Sequence, residues 1–199
     1  MEVGSIDVLE PGDSAPEFSL RGTDDISYEL TDFADAEVLV IVFTCNHCPY
    51  AKAKQPALNN IARSEDDVAV IGINPNDAEQ YPDDSFEAMQ SAVKSGTIEL
   101  DAYLHDETQS TASDYGAMCT PDTFVFHSPD TADPKLAYHG RIDDAMSPEE
   151  TPSGEPGFIL REVIDALKAN EDVAVEAVPA RGCSIKWKPG NEPPYWDHR

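Results

Sequence analysis

The sequence predicts an α/β protein: a mixed central sheet with helices on both faces. Three observations carry this. Val38–Thr44 and Val68–Ile73 are continuous, β-branched apolar runs, the pattern of central strands buried on both faces. Between them, Pro49 opens a helical stretch reaching about Arg63. A strand–helix–strand crossover of this kind makes the two strands parallel. Later, Thr123–His127 and Leu136–Ile142 read as two strands joined only by a Pro129–Pro134 turn, so they close the sheet as an antiparallel hairpin before a last helix.

The other elements follow in order. Residues 14–33 read as two short strands around a turn at Gly22–Asp25, an N-terminal hairpin. The helix from Pro49 puts Ala57, Leu58 and Ile61 on one face, and Pro56 is expected to kink it. Asp84–Lys94 reads as a helix ending at Gly96, Asp101–His105 as a strand and Glu107–Tyr115 as a short polar helix. Ser147–Gly157, rich in Pro, Ser, Gly and Glu, reads as a mobile loop, and Phe158–Ala169 as the last helix, with Ile159, Val163, Ile164 and Leu167 at helical spacing. Residues 1–170 are expected to form one domain. Residues 171–199 hold four of the 16 prolines and both tryptophans, and are expected to be a tail ordered by contact with that domain rather than by regular structure.

Asp and Glu number 39 against 13 Lys and Arg, a formal net charge of -26. Acid pairs such as Asp24-Asp25, Asp83-Asp84, Asp143-Asp144 and Glu149-Glu150 lie between apolar stretches and read as solvated loops and helix faces. Self-repulsion at this charge is costly in dilute buffer, and salt at 1 M screens it within about 3 Å. The charge is therefore read as adaptation to a salt-rich cytoplasm (a halophilic trait), with attraction of a basic partner as the alternative. Nucleic acid is excluded as a partner, since no basic stripe exists to neutralise phosphates. The longest apolar run, Val38–Phe43, is far too short to cross a bilayer, and residues 1–20 lack a basic start and an apolar stretch. A cytoplasmic protein is expected, without membrane association.

Chemistry concentrates on cysteine. The chain has Cys45, Cys48, Cys119 and Cys183. Cys45-Asn46-His47-Cys48 is a C-x-x-C between a buried strand and a helix start, where free amides and the helix dipole favour a thiolate. His47, between the sulfurs, can add positive charge or a hydrogen bond. Pro49 disfavours helical geometry at Cys48, so Cys48 is expected to cap the helix. Cys119-Thr120-Pro121 stands just before the strand TFVFH, and proline before a strand is by itself ordinary.

FTCNHCPY followed by a helix, DETQSTASDYGAMCTPDTFVF and YHGRIDD, with the opening APEFSL and the ending GCSIKWKPGNEP, resemble the peroxiredoxin-like branch of the thioredoxin superfamily, the alkyl hydroperoxide reductase/thiol-specific antioxidant redoxins. The resemblance runs from about Ala15 to Tyr195. It implies the thioredoxin-like fold, a cis-Pro121 beside the cysteine pair, and thiol redox chemistry. Two departures stand out. Thioredoxins carry Trp-Cys-Gly-Pro-Cys where this chain has Thr44-Cys45-Asn46-His47-Cys48. Peroxiredoxins carry Pro-x-x-x-Thr-x-x-Cys; Cys48-Pro49 matches the end of that pattern, but Cys45 replaces the threonine and no proline precedes it. Arg141 is placed to serve as the arginine that steadies a peroxidatic thiolate, or else to pair with Asp143 or Asp144 at a strand end.

Three readings follow. In the first, a thiol–disulfide oxidoreductase, Cys45 attacks a disulfide of a protein or small molecule and Cys48 resolves the mixed disulfide. In the second, a thiol-dependent peroxidase, Cys48 is oxidised by peroxide and Cys45 or Cys183 condenses with it. Both need a thiol reductant as partner and no cofactor. The third is a copper or zinc binder using Cys45, Cys48 and His47 with Cys119 or His139, although the visible motif supplies only one ligand pair and no metal is expected. Cys119 reads either as a small buried hydrophobe or as an accessory redox group. Cys183 reads either as a tail residue near Trp187 or as a resolving cysteine. His105, His127 and His139 are expected to be strand or loop histidines.

Overall fold

The strand β4 (Val38–Phe43) is buried at every position, and its alternation divides the interior into two cores. Val38, Val40 and Val42 face one side, where they meet Leu58, Ile61, Leu160, Val163 and Ile164. Leu39, Ile41 and Phe43 face the other, against Ala112, Tyr115, Phe124 and the tail residues Trp187 and Trp196. A strand covered on both faces must be apolar at successive residues, which is why VLVIVF carries no alternation.

The structure is a computed structural model describing residues 1–128 and 133–198. Along the chain lie β1 (Glu2–Gly4), β2 (Ser19–Gly22), β3 (Ser27–Glu29), β4, α1 (Pro49–Ser64), β5 (Val68–Asn74), α2 (Phe86–Lys94), β6 (Ala102–His105), α3 (Ser110–Tyr115), β7 (Cys119–Thr120), β8 (Asp122–His127), β9 (Lys135–Gly140), α4 (Phe158–Lys168) and β10 (Arg181–Ser184). The main sheet has the order β3-β2-β6-β5-β4-β8-β9. In it β4 and β5 run parallel, β5 and β6 run parallel, and β8 and β9 form the antiparallel edge. The expected mixed sheet, its central parallel pair and both hairpins are present. The expected turn at Pro129–Pro134 lies mostly outside the described residues.

Four expectations need correction. The tail contains regular structure: β10 pairs antiparallel with both β1 and β7, making a second, three-stranded sheet of order β1-β10-β7. Asp84 is not the first residue of a helix. It ends a 3-10 turn, Pro82–Asp84, and Ser85 caps α2 by accepting the Ala88 N–H. Ser147–Gly157 is a loop, but acids fasten it: Glu150 accepts the Met146 N–H at 2.7 Å, Asp144 that of Ser153 at 2.9 Å, and Asp143 that of Gly157 at 3.2 Å. Asp143, read as solvated, is buried and paired with Lys54. The acids that turned inward did so because loop amides and a lysine needed acceptors there.

A buried pair anchors β8 beside the Cys119–Pro121 segment. His139 stacks on Phe124 with ring centroids 4.0 Å apart, and its Nε2 lies 2.8 Å from Asp122. Asp122 also accepts the Met118 N–H at 3.0 Å. Burial alone would lower the His139 pKa, but the hydrogen bond and charge of Asp122, with Asp7 behind, raise it. A raised folded-state pKa means the native protein holds this proton more tightly than the unfolded chain. The stabilisation is fully present below the unfolded value of about 6.5 and is lost as pH rises through the folded value. Urea midpoints measured from pH 5.5 to 8.5 should therefore fall with rising pH. His139→Gln should flatten that slope and cost about 1–3 kcal/mol at the acid end; an unchanged slope in the variant would assign the pH dependence elsewhere.

Candidate active site

The cysteine pair is placed by the end of β4 and the start of α1. Cys48 has extended backbone (φ -66°, ψ 124°) and is the N-cap, with Pro49 at the first helical position. The proline ring forces the extended conformation on the residue before it and gives up an amide the helix would leave unpaired anyway. Facing the pair is Thr120, whose peptide bond to Pro121 is cis. Cys45 Sγ lies 3.3 Å from the Thr120 hydroxyl, and Cys48 Sγ lies 3.1 Å from the Thr120 carbonyl oxygen. One residue thus offers a hydroxyl to one sulfur and an acceptor to the other. Cys45 is 3% exposed and Cys48 0%. A cleft of about 210 Å³ opens on Cys45, walled by Lys52, Gln55, Pro56, Ala92 and Ile98.

Behind Cys45 stands a carboxylate that sequence reading missed. Asp84 is fully buried. It accepts the backbone N–H of Asn46 at 2.7 Å and of His47 at 3.3 Å, contacts His47 Nδ1 at 2.5 Å, and accepts from Asn76 Nδ2 at 2.8 Å. Asn46 is gripped further: its Nδ2 donates to Asp83 O, and its Oδ1 accepts from Tyr103 Oη at 3.0 Å. The His47 ring stacks on Tyr81 at 5.1 Å. In a chain with 39 acidic residues, nothing in the sequence distinguishes this one; a 3-10 turn that ends ten residues past β5 does.

The sulfurs are electrostatically unequal. Cys48 is lowered to about 4, chiefly because Cys45 donates a hydrogen bond to its thiolate; burial opposes this, and Cys183, the Ala51 amide and Thr120 add support. Cys45 is pushed up by burial, by its bond to Cys48 and by the Asp84 charge. Asp84 stays ionised although burial works against it, because His47, Asn76 and the Asn46 amide bond to the carboxylate. These effects favour charge on Cys48 over charge on Cys45, while the Thr120 carbonyl beside Cys48 favours a proton on that sulfur. Charge and access fall on different sulfurs.

The structure brings together Cys45, Cys48, His47, Thr120, Pro121 and Cys183. Cys183 packs against Cys45, Cys48 and Ala51, not simply beside Trp187. Cys119 is fully buried with its Sγ 3.5 Å from Pro121 O, and burial holds its thiol well up. Arg141 is not aimed at the sulfurs: its Nε donates to Pro179 O, and its Nη1 contacts Met146 Sδ. His47 departs from expectation too, since its bonded partner is Asp84 rather than a sulfur. Cys45, His47 and Asp84 hold ligand atoms within 4.8 Å of one another, a trio a soft cation could share. It has fewer donors than a closed zinc site. His139, named for the metal reading, is committed to Asp122 and Asp7.

Among the described residues no helix is long and apolar enough to cross a membrane. Comparison with curated proteins gives no match. Among solved structures, an uncharacterized conserved protein from Geobacillus kaustophilus is 36% identical, with 96% of this chain and 98% of that one covered and a TM-score of 0.82. A hypothetical protein from Sinorhizobium meliloti 1021 is 32% identical, with 94% and 99% covered and a TM-score of 0.82. Peroxidoxin BcpB from Mycobacterium tuberculosis shares the fold at 15% identity, with 81% and 97% covered and a TM-score of 0.58. The AhpC/TSA family matches residues 11–131, well over half of the sequence. The chain has a thioredoxin-like fold and belongs to the AhpC/TSA family of redoxins.

Proposed function

We propose that the protein is a thiol–disulfide oxidoreductase in which Cys45 and Cys48 cycle between dithiol and disulfide. The observation that carries this is the position of Thr120 between the two sulfurs. At rest the proton sits on Cys45 and the charge on Cys48. For attack the proton crosses to Cys48, which then donates to the Thr120 carbonyl, while the Thr120 hydroxyl donates to the new Cys45 thiolate. Both proton positions have a partner, so the charge can reach the sulfur that faces the cleft, at a cost set by how far Cys48 is lowered and Cys45 raised. Cys45 then attacks one sulfur of a substrate disulfide. The substrate S–S bond breaks, and the departing thiolate takes a proton from solvent. Cys48 loses its proton again, attacks Cys45 Sγ, and releases the second substrate thiol, leaving Cys45–Cys48 oxidised. A thiol reductant of the cell reverses this.

Peroxide reduction at Cys48 is a second reading, favoured by its low thiol pKa and its place before Pro49. Against it stand the complete burial of Cys48 and an Arg141 engaged elsewhere. Cys45→Ser should cut insulin disulfide reduction by about a hundredfold or more, and Cys48→Ser should accumulate mixed disulfides with substrate. If Cys45→Ser instead leaves peroxide consumption intact and Cys48→Ser abolishes it, the peroxidase reading replaces the first.

The Asp84–His47 pair makes a sharper electrostatic test. The Asp84 carboxylate opposes charge on Cys45, and the His47 ring bonded to that carboxylate offsets it. The disulfide carries no charge, so only the reduced form feels either group. Asp84→Asn should lower the Cys45 pKa and raise the reduction potential; His47→Ala should do the reverse. One pKa unit corresponds to about 30 mV for this two-electron couple. Thiolate absorbance titration and equilibration with glutathione read both quantities. Shifts of the same sign in the two variants would show that His47 does not act through Asp84.

A further inference from the structure

We propose that Cys183 is a third redox-active cysteine, whose substrate is the protein's own Cys45–Cys48 disulfide and which carries the oxidation from that buried pair towards the surface. The proposal rests on the dithiol–disulfide cycling proposed above.

Position is the first argument. In the small sheet Cys183 is the register partner of Thr120, the residue holding both motif sulfurs. Its side chain joins Cys45, Cys48 and Ala51 in one cluster. The placement is enforced by close packing of the tail. A Cβ on Gly182 would stand 2.2 Å from Thr120 O and 2.7 Å from Thr120 C, so only glycine lets β10 approach this far. Next to Cys183, Ile185 N donates to Met118 O at 3.0 Å and Lys186 N to Asn76 Oδ1 at 2.9 Å. Asn76 is itself bonded to Asp84. The strand carrying Cys183 is thus tied to both flanks of the active site.

Access is the second. Cys45 and Cys48 are 3% and 0% exposed, whereas Cys183 is only partly buried. A disulfide between Cys48 and Cys183 would present a sulfur that a second thiol can reach. Cys119, fully buried and directed at Pro121 O, offers no such exit.

Charge supplies the timing. In the reduced protein, burial and then the Cys48 thiolate push the Cys183 thiol up to about 11, with Lys186 and the N-terminal ammonium opposing. Once Cys48 is in a disulfide its negative charge is gone, while both cations remain. Cys183 therefore becomes a better nucleophile when there is a disulfide for it to attack. Its thiolate attacks Cys48 Sγ, the Cys48–Cys183 bond forms, and the Cys45–Cys48 bond breaks. The electron pair leaves on Cys45, which takes up the proton Cys183 released. No net oxidation occurs, because the substrate disulfide has already supplied it. Cys45 is free again, and a thiol reductant can attack at Cys183.

The test uses the full chain. Cys45→Ser is treated with glutathione disulfide, quenched in acid, alkylated and mapped by mass spectrometry of non-reduced peptides. The expected product is a Cys48–Cys183 disulfide, formed as glutathione adds at the reachable Cys183 and Cys48 displaces it. In Cys45→Ser/Cys48→Ser the Cys183–glutathione adduct should persist at least about tenfold longer, because a neighbouring thiol acts at high effective concentration. A lasting glutathione adduct with no Cys48–Cys183 bond in Cys45→Ser would overturn the relay. Should Cys45→Ser misfold by circular dichroism, the oxidised wild type is quenched and mapped instead, and absence of any Cys48–Cys183 peptide overturns it. If wild type forms the Cys45–Cys48 bond and reduces insulin while these maps fail, the relay alone falls. If wild type does neither, the cycling reading falls with it.

Discussion

Much of this structure converges on Thr120. Its hydroxyl and carbonyl take the two motif sulfurs, its backbone pairs with Cys183, and its carbonyl is the atom that Gly182 must clear. Two residues on, Asp122 is clamped by His139 and by the Met118 amide. A dithiol needs a rigid partner, because the difference between sharing a proton and leaving a buried sulfur unpaired is a matter of tenths of an ångström. The main sheet supplies that rigidity from β8, and the tail supplies it from β10.

The electrostatic organisation follows from burying two negative groups close together. Asp84 and the Cys48 thiolate would each be expensive in the interior if unpaired. Asp84 is offset by two backbone amides, His47 and Asn76. Cys48 is offset by the start of α1, the Cys45 thiol and Cys183. Asp84 adds to the rise of the Cys45 thiol, after burial and the bond to Cys48. Tyr103, kept neutral by burial and by the charge of Asp84, remains a hydroxyl donor to Asn46. The result is a site in which burial, the bond to Cys48 and the Asp84 charge all oppose charge on the accessible sulfur.

The tail shows how a segment with little regular structure can be integral to a site. Trp187 and Trp196 complete the core on one face of β4. Lys186 is held by Asn76, Asp77 and Gln109. Through Asn76, a residue bonded to Asp84, the tail is coupled to the motif loop. Loss of the tail would therefore uncover apolar surface and disturb the carboxylate beside Cys45 at once.

By itself the sequence determined the central sheet and the start of the redox motif. Continuous apolar runs, helical spacing and a proline after Cys48 act through local sterics and burial, which neighbouring residues encode. The Cys45–Cys48 pair and the helix cap at Cys48 were legible for that reason. Only the tertiary structure decided which of many acids is Asp84, that His47 bonds it rather than a sulfur, that Arg141 turns to Pro179, and that Cys183 packs on the pair. Those outcomes depend on contacts between residues 37 to 138 positions apart. An acid's one-letter code is the same in a solvated loop and beneath an active site; its meaning is set by which unpaired donors the folded chain brings to it.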